Sequence, residues 1–119
     1  MRPPGHHADF SNCNGYCIYN NVAIASKYAQ QKYSAKKVAI FDWDIHAGDG
    51  TSKIFYQDPS VLYISIHRYD EGDFYPFAHG DYKNIGESKG EGYNVHFAFD
   101  AYDQRANGII GDKDYIYAC

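Results

Sequence analysis

The chain has 119 residues, room for one small domain, and its 45% hydrophobic and 18% aromatic content is typical of a folded protein rather than a disordered one. The formal net charge is −4 and no basic block is longer than Lys36-Lys37, so direct binding to nucleic-acid phosphates is not expected. No apolar run approaches the roughly 20 residues needed to cross a bilayer, so membrane insertion is not expected either.

The first part of the chain predicts a loop, a helix and a strand. Residues 1–16 are rich in Pro, Gly, His, Asn and Ser and are predicted to form a loop. From Cys17 to about Gln31, apolar residues recur at helical spacing among good helix formers, which predicts a helix. Val38–Phe41 is an apolar run of strand length, and residues 42–50 are predicted to form an acidic, glycine-bearing loop after it.

The remainder predicts two more strands separated by a long loop. Residues 51–56 are predicted to form a short helix before Val61–Ile66, whose nearly continuous apolar character is that of a strand covered on both faces. Residues 70–92 contain several glycines and are predicted to form a long loop. Tyr93–Phe99 alternates enough to be a third strand, and residues 111–119 begin a further element.

The order of these elements predicts an α/β fold. A strand, a helix and a second strand joined by crossovers of this length indicate a parallel sheet flanked by helices. In such sheets, ligands bind beyond the carboxyl ends of the strands. The acidic loop of residues 42–50 follows the first strand, so it is predicted to lie at that edge of the sheet.

The most informative short motif is Asp42-Trp43-Asp44-Ile45-His46. In an extended backbone the side-chain period of two would place Asp42, Asp44 and His46 on one side. Carboxylate oxygen and imidazole nitrogen both bind zinc, at about 2.0–2.2 Å. Taken alone, the motif fits a solvated loop with a hydrogen-bonded histidine better than it fits a metal site.

Two adjacent histidines, His6 and His7, form a second candidate cluster. They can act as a base and a cationic partner near neutral pH, because imidazole titrates near pH ~6.5. Tandem histidines also occur in exposed loops, so this motif is weak by itself. The run is only two residues long and is followed by sequence typical of a folded domain, which argues against an affinity tag.

Taken together, in order and spacing, these segments resemble the class II branch of the histone deacetylase family. The resemblance extends over essentially the whole chain, and the stretches that carry it are Arg2–Ala8, Gly15–Ala23, Asp42–Thr51, Ser65–Asp70, Gly86–Val95 and Gly111–Tyr115. The resemblance implies an arginase-like, three-layer α/β fold with a mostly parallel sheet flanked by helices. It also implies zinc-dependent hydrolysis of the acetyl-lysine amide in histone tails or other proteins.

The resemblance implies a cofactor, partners and a location as well. Zn²⁺ would be bound by Asp44 and His46. The protein would act as a chromatin and transcription regulator with corepressor-type protein partners, in the nucleus and/or the cytoplasm. The expected partner is therefore an acetylated protein and not nucleic acid.

The same resemblance assigns roles to the other polar residues. His7 would be the general base, and His6 would help to stabilise the charged transition state. Asp49 would orient His7, and Asp42 would orient His6. This arrangement is chemically sound, because an imidazole held by a carboxylate is well placed to accept a proton from a zinc-bound water.

Substrate binding and a second kind of cation are implied in the same way. Gly15 and Tyr16 resemble the rim and one wall of an acyl-lysine channel, with Tyr75 as the facing wall. Two aromatic walls suit a neutral acetamide on an alkyl stem. The family also binds monovalent cations such as K⁺, and the corresponding positions here are Asp42, Asp44, His46, Ser65, Ile66, Phe55, Asp58, Val61 and Tyr93.

The chain departs from the family pattern at some positions. Ala47 stands where a second histidine is usual, and His96 replaces the usual asparagine. The family's second aspartate ligand and its carbonyl-polarising tyrosine have no counterpart before Cys119. We therefore expect residues 1–119 to be a partial catalytic domain that lacks sequence on both sides. By itself it should expose apolar sheet edges and show little or no activity.

Three alternatives bear on this interpretation. Acetylpolyamine amidohydrolases use the same local chemistry, and a truncated, inactive member could act as a binding module. Zinc content and activity of the purified chain would separate the active from the inactive form. Binuclear manganese ureohydrolases share the fold but need a carboxylate four residues after Asp44, where this chain has Gly48.

Overall fold

A computed structural model describes residues 4–103 and 108–119. Arg2 and Pro3, which belong to the first motif, lie outside these residues. The helices and strands in chain order are α1 (Asn21–Tyr33), β1 (Val38–Asp42), α2 (Asp49–Ile54), β2 (Val61–Arg68), β3 (Asn94–Phe99), β4 (Tyr102–Asp103), β5 (Gly108–Ile109) and α3 (Asp112–Ala118).

Strands β1, β2 and β3 form a parallel sheet in that order, which confirms the predicted α/β class. The register pairs Val38 with Val61 and Asp42 with Ser65, so the carboxyl ends of β1 and β2 lie side by side. Strands β4 and β5 form a separate antiparallel pair. Within the described residues, no helix is long and apolar enough to span a membrane.

Helix α1 begins at Asn21, and the predicted start at Cys17 is wrong. The reason is Asn20, whose side-chain oxygen accepts a hydrogen bond from the amide of Ala23 and so caps the helix. Its side-chain nitrogen donates to the carbonyl of Ala8 and to the hydroxyl of Thr51, both at 3.0 Å. Asn20 therefore starts α1 and ties it to the loop that carries the tandem histidines.

Helix α2 begins two residues earlier than predicted, at Asp49 rather than Thr51. The amide of Ser52 donates to the carbonyl of Gly48 at 2.9 Å, which makes Gly48 the N-cap. The predicted strand Val61–Ile66 is also too short, since pairing with β3 extends β2 to Arg68. The loop of residues 70–92 contains three single-turn 3₁₀ helices.

The hydrophobic core lies between one face of the sheet and helices α1 and α2. Ala23, Ile40, Phe55, Val61 and Tyr63 form its buried cluster. Within the described residues, the opposite face of the sheet is less well covered. The ring of Phe41, which lies on that face, is 46% exposed.

Candidate functional site

The turn that carries His6 and His7 is fastened to the start of α2 by backbone contacts. The amide of Thr51 donates to the carbonyl of His6 at 3.0 Å. Gly50 lies so close to the carbonyl of Ala8 that a Cβ there would come within 3.0 Å of it, a distance that real Cβ atoms essentially never show. The absence of a side chain at Gly50 therefore lets the turn approach the helix.

Each histidine of the turn is paired with a carboxylate. His7 Nδ1 lies 2.6 Å from Asp49 Oδ1, and His6 Nδ1 lies 2.9 Å from Asp42 Oδ2. A carboxylate only accepts, so both imidazoles donate. These contacts, which we call the two His–Asp pairs, are the ones expected from the sequence. The His7 side chain is 5% exposed, and the two imidazole centroids are 4.1 Å apart.

The His6–Asp42 pair favours its charged form. Burial by itself lowers the pKa of His6, but the hydrogen bond and the charge of Asp42 outweigh it and hold that pKa above its usual value. Burial tends to raise the pKa of Asp42, yet the hydrogen bond and charge of His6 hold it below the usual value. Both directions favour the imidazolium–carboxylate form of the pair.

Asp44 and His46 follow β1 on a bend, and the extended backbone expected there is wrong beyond Asp42. The carboxylate of Asp44 accepts the amide of His46 at 2.9 Å and folds the chain back on itself. The two side chains still meet, because His46 Nδ1 lies 3.2 Å from Asp44 Oδ1. Both are substantially exposed to solvent.

The distance between Asp44 Oδ1 and His46 Nδ1 shows whether these two side chains could bind one zinc ion. Two ligands at about 2.0–2.1 Å from one tetrahedral ion stand about 3.3 Å from each other, and the two atoms here are 3.2 Å apart. Asp44 and His46 therefore fit two of the ligand positions in donor type and in distance. Among residues 4–103 and 108–119, no group of three or more His, Cys, Asp or Glu side chains is arranged to hold a metal ion.

Aromatic rings surround the histidines. Phe74 stacks on His46 with centroids 4.9 Å apart, and Tyr75 meets His7 edge-on at 4.9 Å. Gly15 lies against the ring of His7, and its role as a rim residue stays a prediction. Tyr16 is 96% exposed, and its role as a channel wall stays a prediction. Phe74 was missed from sequence, although its position next to Tyr75 was a usable signal.

Comparison with known proteins identifies the family to which this chain belongs. A family model described as "Histone deacetylase domain" matches residues 1–119. The chain belongs to the histone deacetylase family. It is 50% identical over 119 residues to Histone deacetylase 6 of Caenorhabditis elegans and 49% identical over 121 residues to Histone deacetylase 7 of Homo sapiens. Each alignment covers 99% of this chain and 12% of the relative.

A solved structure supports the same assignment. The crystal structure of the HDA15 HD domain superposes with a TM-score of 0.89 and 48% sequence identity, over 99% of this chain and 31% of that one. The predicted arginase-like α/β architecture is therefore confirmed through a histone deacetylase domain. The chain spans less than a third of that domain structure and about an eighth of the two relatives.

The positions expected for monovalent cations lie in two places. Ser65 Oγ, next to Asp42 in the sheet, is 2.7 Å from His67 Nδ1. In the second group, the carbonyls of Phe55, Asp58 and Tyr93 accept backbone amides and close the connection between α2 and the sheet. Cation binding at either place stays a prediction.

The two departures from the deacetylase pattern lie in one buried region. Ala47 is fully buried, and a Cβ on Gly80 would lie 3.2 Å from its Cβ and 3.1 Å from His67 Nε2. His96 is 6% exposed and packs edge-on against His67 with centroids 5.4 Å apart. Neither ring nitrogen of His96 has a hydrogen-bond partner among the described residues. Burial, helped by the nearby His67, lowers the pKa of His96 to about 4.

This buried histidine predicts a loss of stability in acid. Unfolded histidine titrates near ~6.5 and folded His96 near about 4, so between these values the unfolded state binds the extra proton. The free energy of unfolding should fall by roughly 3 kcal/mol as the pH drops from about 6.5 to about 4. His96→Asn should remove this part of the decrease, as measured by urea unfolding at pH 7 and pH 4.5.

Carboxylates whose pKa is lowered in the folded protein, such as those of Asp42 and Asp58, also contribute stability that is lost in acid. They are present in both proteins, so only the difference between wild type and the His96→Asn variant reports on His96. Equal decreases in the two proteins would contradict this assignment.

Proposed function

We propose that this chain contributes to the catalytic centre of a zinc-dependent lysine deacetylase that hydrolyses the acetyl-lysine amide. The observation that carries the proposal is the buried His7, held by Asp49 and in edge-on ring contact with His46 at 5.9 Å. A base oriented by a carboxylate beside a pair of metal-ligand side chains is the arrangement that metal-assisted hydrolysis requires.

The chemistry assigned to this chain is proton transfer and charge stabilisation. Zinc bound at Asp44 and His46 would lower the pKa of a water molecule and polarise the amide carbonyl. Asp49 holds the proton of His7 at Nδ1, which leaves Nε2 free to accept a proton from that water. His6, whose charged form the hydrogen bond and charge of Asp42 favour, would stabilise the negative charge that develops on the carbonyl oxygen.

The aromatic surroundings support an acyl-lysine substrate. Phe74 and Tyr75 cover the site on the side of His46 and His7, and Gly15 leaves room against the His7 ring. Apolar walls remove water from a neutral acetamide without requiring a charged partner. We propose acetylated lysines of histone tails or other proteins as substrates, corepressor-type proteins as partners, and a nuclear or cytoplasmic location. K⁺ is a proposed further ligand.

We propose that residues 1–119 form part of the catalytic domain. Asp44 and His46 are the two zinc ligands proposed among the described residues, whereas a catalytic zinc site has three protein ligands. The 119-residue chain by itself is therefore expected to show little or no turnover, which an acetyl-lysine peptide assay on the zinc-loaded chain would measure.

The metal assignment is tested by zinc content. In the longest form of the protein that can be produced, Asp44→Ala and His46→Ala should each abolish stoichiometric zinc, because two remaining ligands hold the ion too weakly. Elemental analysis after dialysis measures this. Asp73→Ala and His79→Ala remove an exposed carboxylate and an exposed imidazole from outside the pair, and they should leave the zinc content unchanged. Full zinc content in both site variants would refute the assignment.

A further inference from the structure

Tyr63, in the middle of β2, is a core residue whose hydroxyl group makes two polar contacts. It is fully buried, and its ring belongs to the hydrophobic cluster beneath α1 and α2. Its hydroxyl oxygen accepts the amide of Gly48 at 3.0 Å. The same oxygen lies 3.0 Å from Asp42 Oδ2. Because a carboxylate only accepts, the single hydroxyl proton is directed at Asp42.

The oxygen that Tyr63 contacts is the one that holds His6. Asp42 Oδ2 accepts from His6 Nδ1 at 2.9 Å and from the Tyr63 hydroxyl at 3.0 Å, while Oδ1 accepts the amide of Asp44 at 3.2 Å. The carboxylate is therefore held at both oxygens. Without the hydroxyl, Oδ2 would lose one of the two side-chain hydrogen bonds that it accepts among the described residues, and the rotation of the carboxylate would be less well fixed.

Gly48 makes this contact possible. A Cβ on Gly48 would lie under 3.0 Å from the Tyr63 hydroxyl, 2.6 Å from Asp42 Oδ2 and 3.0 Å from the Cβ of His6. No side chain fits there, so the hydroxyl can reach both the carboxylate and the backbone. Gly48 is also the N-cap of α2, and the next residue, Asp49, holds His7.

We propose that Tyr63 is a positioning residue for both His–Asp pairs. It acts on His6 through the Asp42 carboxylate and on His7 through the backbone at Gly48 that precedes Asp49. The proposal concerns geometry and rests on the proposed function only for its effect on turnover. It is distinct from a purely apolar core role, which Phe would serve equally well.

The test compares Tyr63→Phe with Tyr69→Phe. Tyr69 also donates its hydroxyl to a carboxylate, that of Asp81 at 3.1 Å, but neither residue belongs to a His–Asp pair. In protein labelled with ¹⁵N-histidine, the Nδ1–H signal of His6 should shift and broaden in Tyr63→Phe and remain unchanged in Tyr69→Phe. In an active form of the protein, kcat should fall about tenfold with KM nearly unchanged, the effect of one lost charge-assisted hydrogen bond.

A second variant covers the case in which Tyr63→Phe does not fold. Substitution of 3-fluorotyrosine at residue 63 keeps the ring and makes the hydroxyl a stronger donor, so the His6 signal should move without loss of structure. An unchanged His6 signal with either substitution overturns the proposal. The signal is read without turnover, whereas His6→Ala kinetics test the catalytic role separately, so the two failures can be told apart.

Discussion

Replacing His7 with alanine is expected to lower kcat for acetyl-lysine hydrolysis by about three orders of magnitude in an active form of the protein. A positioned general base typically contributes about 10²–10⁴-fold, and His7 is buried and held at 2.6 Å by Asp49. Zinc content should not change, because His7 is not one of the proposed ligands. Steady-state kinetics and elemental analysis on the same samples check both statements.

Asp49→Asn provides the companion to this experiment. The amide keeps the shape of the carboxylate but can donate to Nδ1, which would place the His7 proton on the wrong nitrogen. A comparable loss in kcat is expected, since an equivalent change in a serine-protease triad costs about 10⁴-fold. His79→Ala, which removes an exposed imidazole, is the control. Activity of the His7→Ala variant within a factor of about ten of wild type would remove His7 from the mechanism.

Gly15→Ala is expected to lower kcat by about 100-fold, although Gly15 carries no chemistry. The new Cβ would lie under 3.0 Å from three atoms of the His7 side chain. Gly15 also has φ +51°, a left-handed conformation that costs alanine about 1–2 kcal/mol. The His7 ring must therefore move away from Asp49, and a displacement of about 1 Å in a catalytic group can cost about 10²-fold.

Gly92→Ala separates the collision from the backbone cost. Gly92 has φ +82°, but a Cβ there meets nothing within 4 Å. Gly92→Ala should therefore lose only the stability that its left-handed backbone costs, whereas Gly15→Ala should lose more stability in urea unfolding and should also lose kcat. Equal kcat values in the two variants would show that the His7 ring tolerates the added methyl group.

The existence of β1, β2 and β3 was predictable because each contains a short run rich in apolar residues, although the end of β2 is set by its pairing with β3. The start of α1 also had a local signal that was overlooked, because Asn20 caps the helix through the amide of Ala23, three residues away. The ties of Asn20 to Ala8 and Thr51, 12 and 31 residues away, are contained in no local window. The bend at Asp44 was missed for a different reason, since an aspartate can use its own side chain to replace strand hydrogen bonds.

In the candidate site, too, some features were predictable from the sequence and others were not. The His–Asp pairs were expected from the family motifs, and the structure places both pairs within hydrogen-bond distance. Tyr63 was missed because a tyrosine inside an apolar strand has the pattern of a core residue. Its hydroxyl becomes informative only when the sheet brings it to Asp42. Hydrophobic periodicity predicts which face is buried, but not which buried atom is polar and where it points.

The two His–Asp pairs have a consequence for folding. Their partners are 36 and 42 residues apart in the chain, and α1 and β1 lie between them. Contacts at this separation form late, because loop closure must be completed before they contribute any stabilisation. We therefore expect neither histidine to meet its carboxylate before β1 has paired with β2 and α2 has docked on the histidine turn. The site should form only as folding is completed, and no peptide shorter than these separations contains both members of either pair.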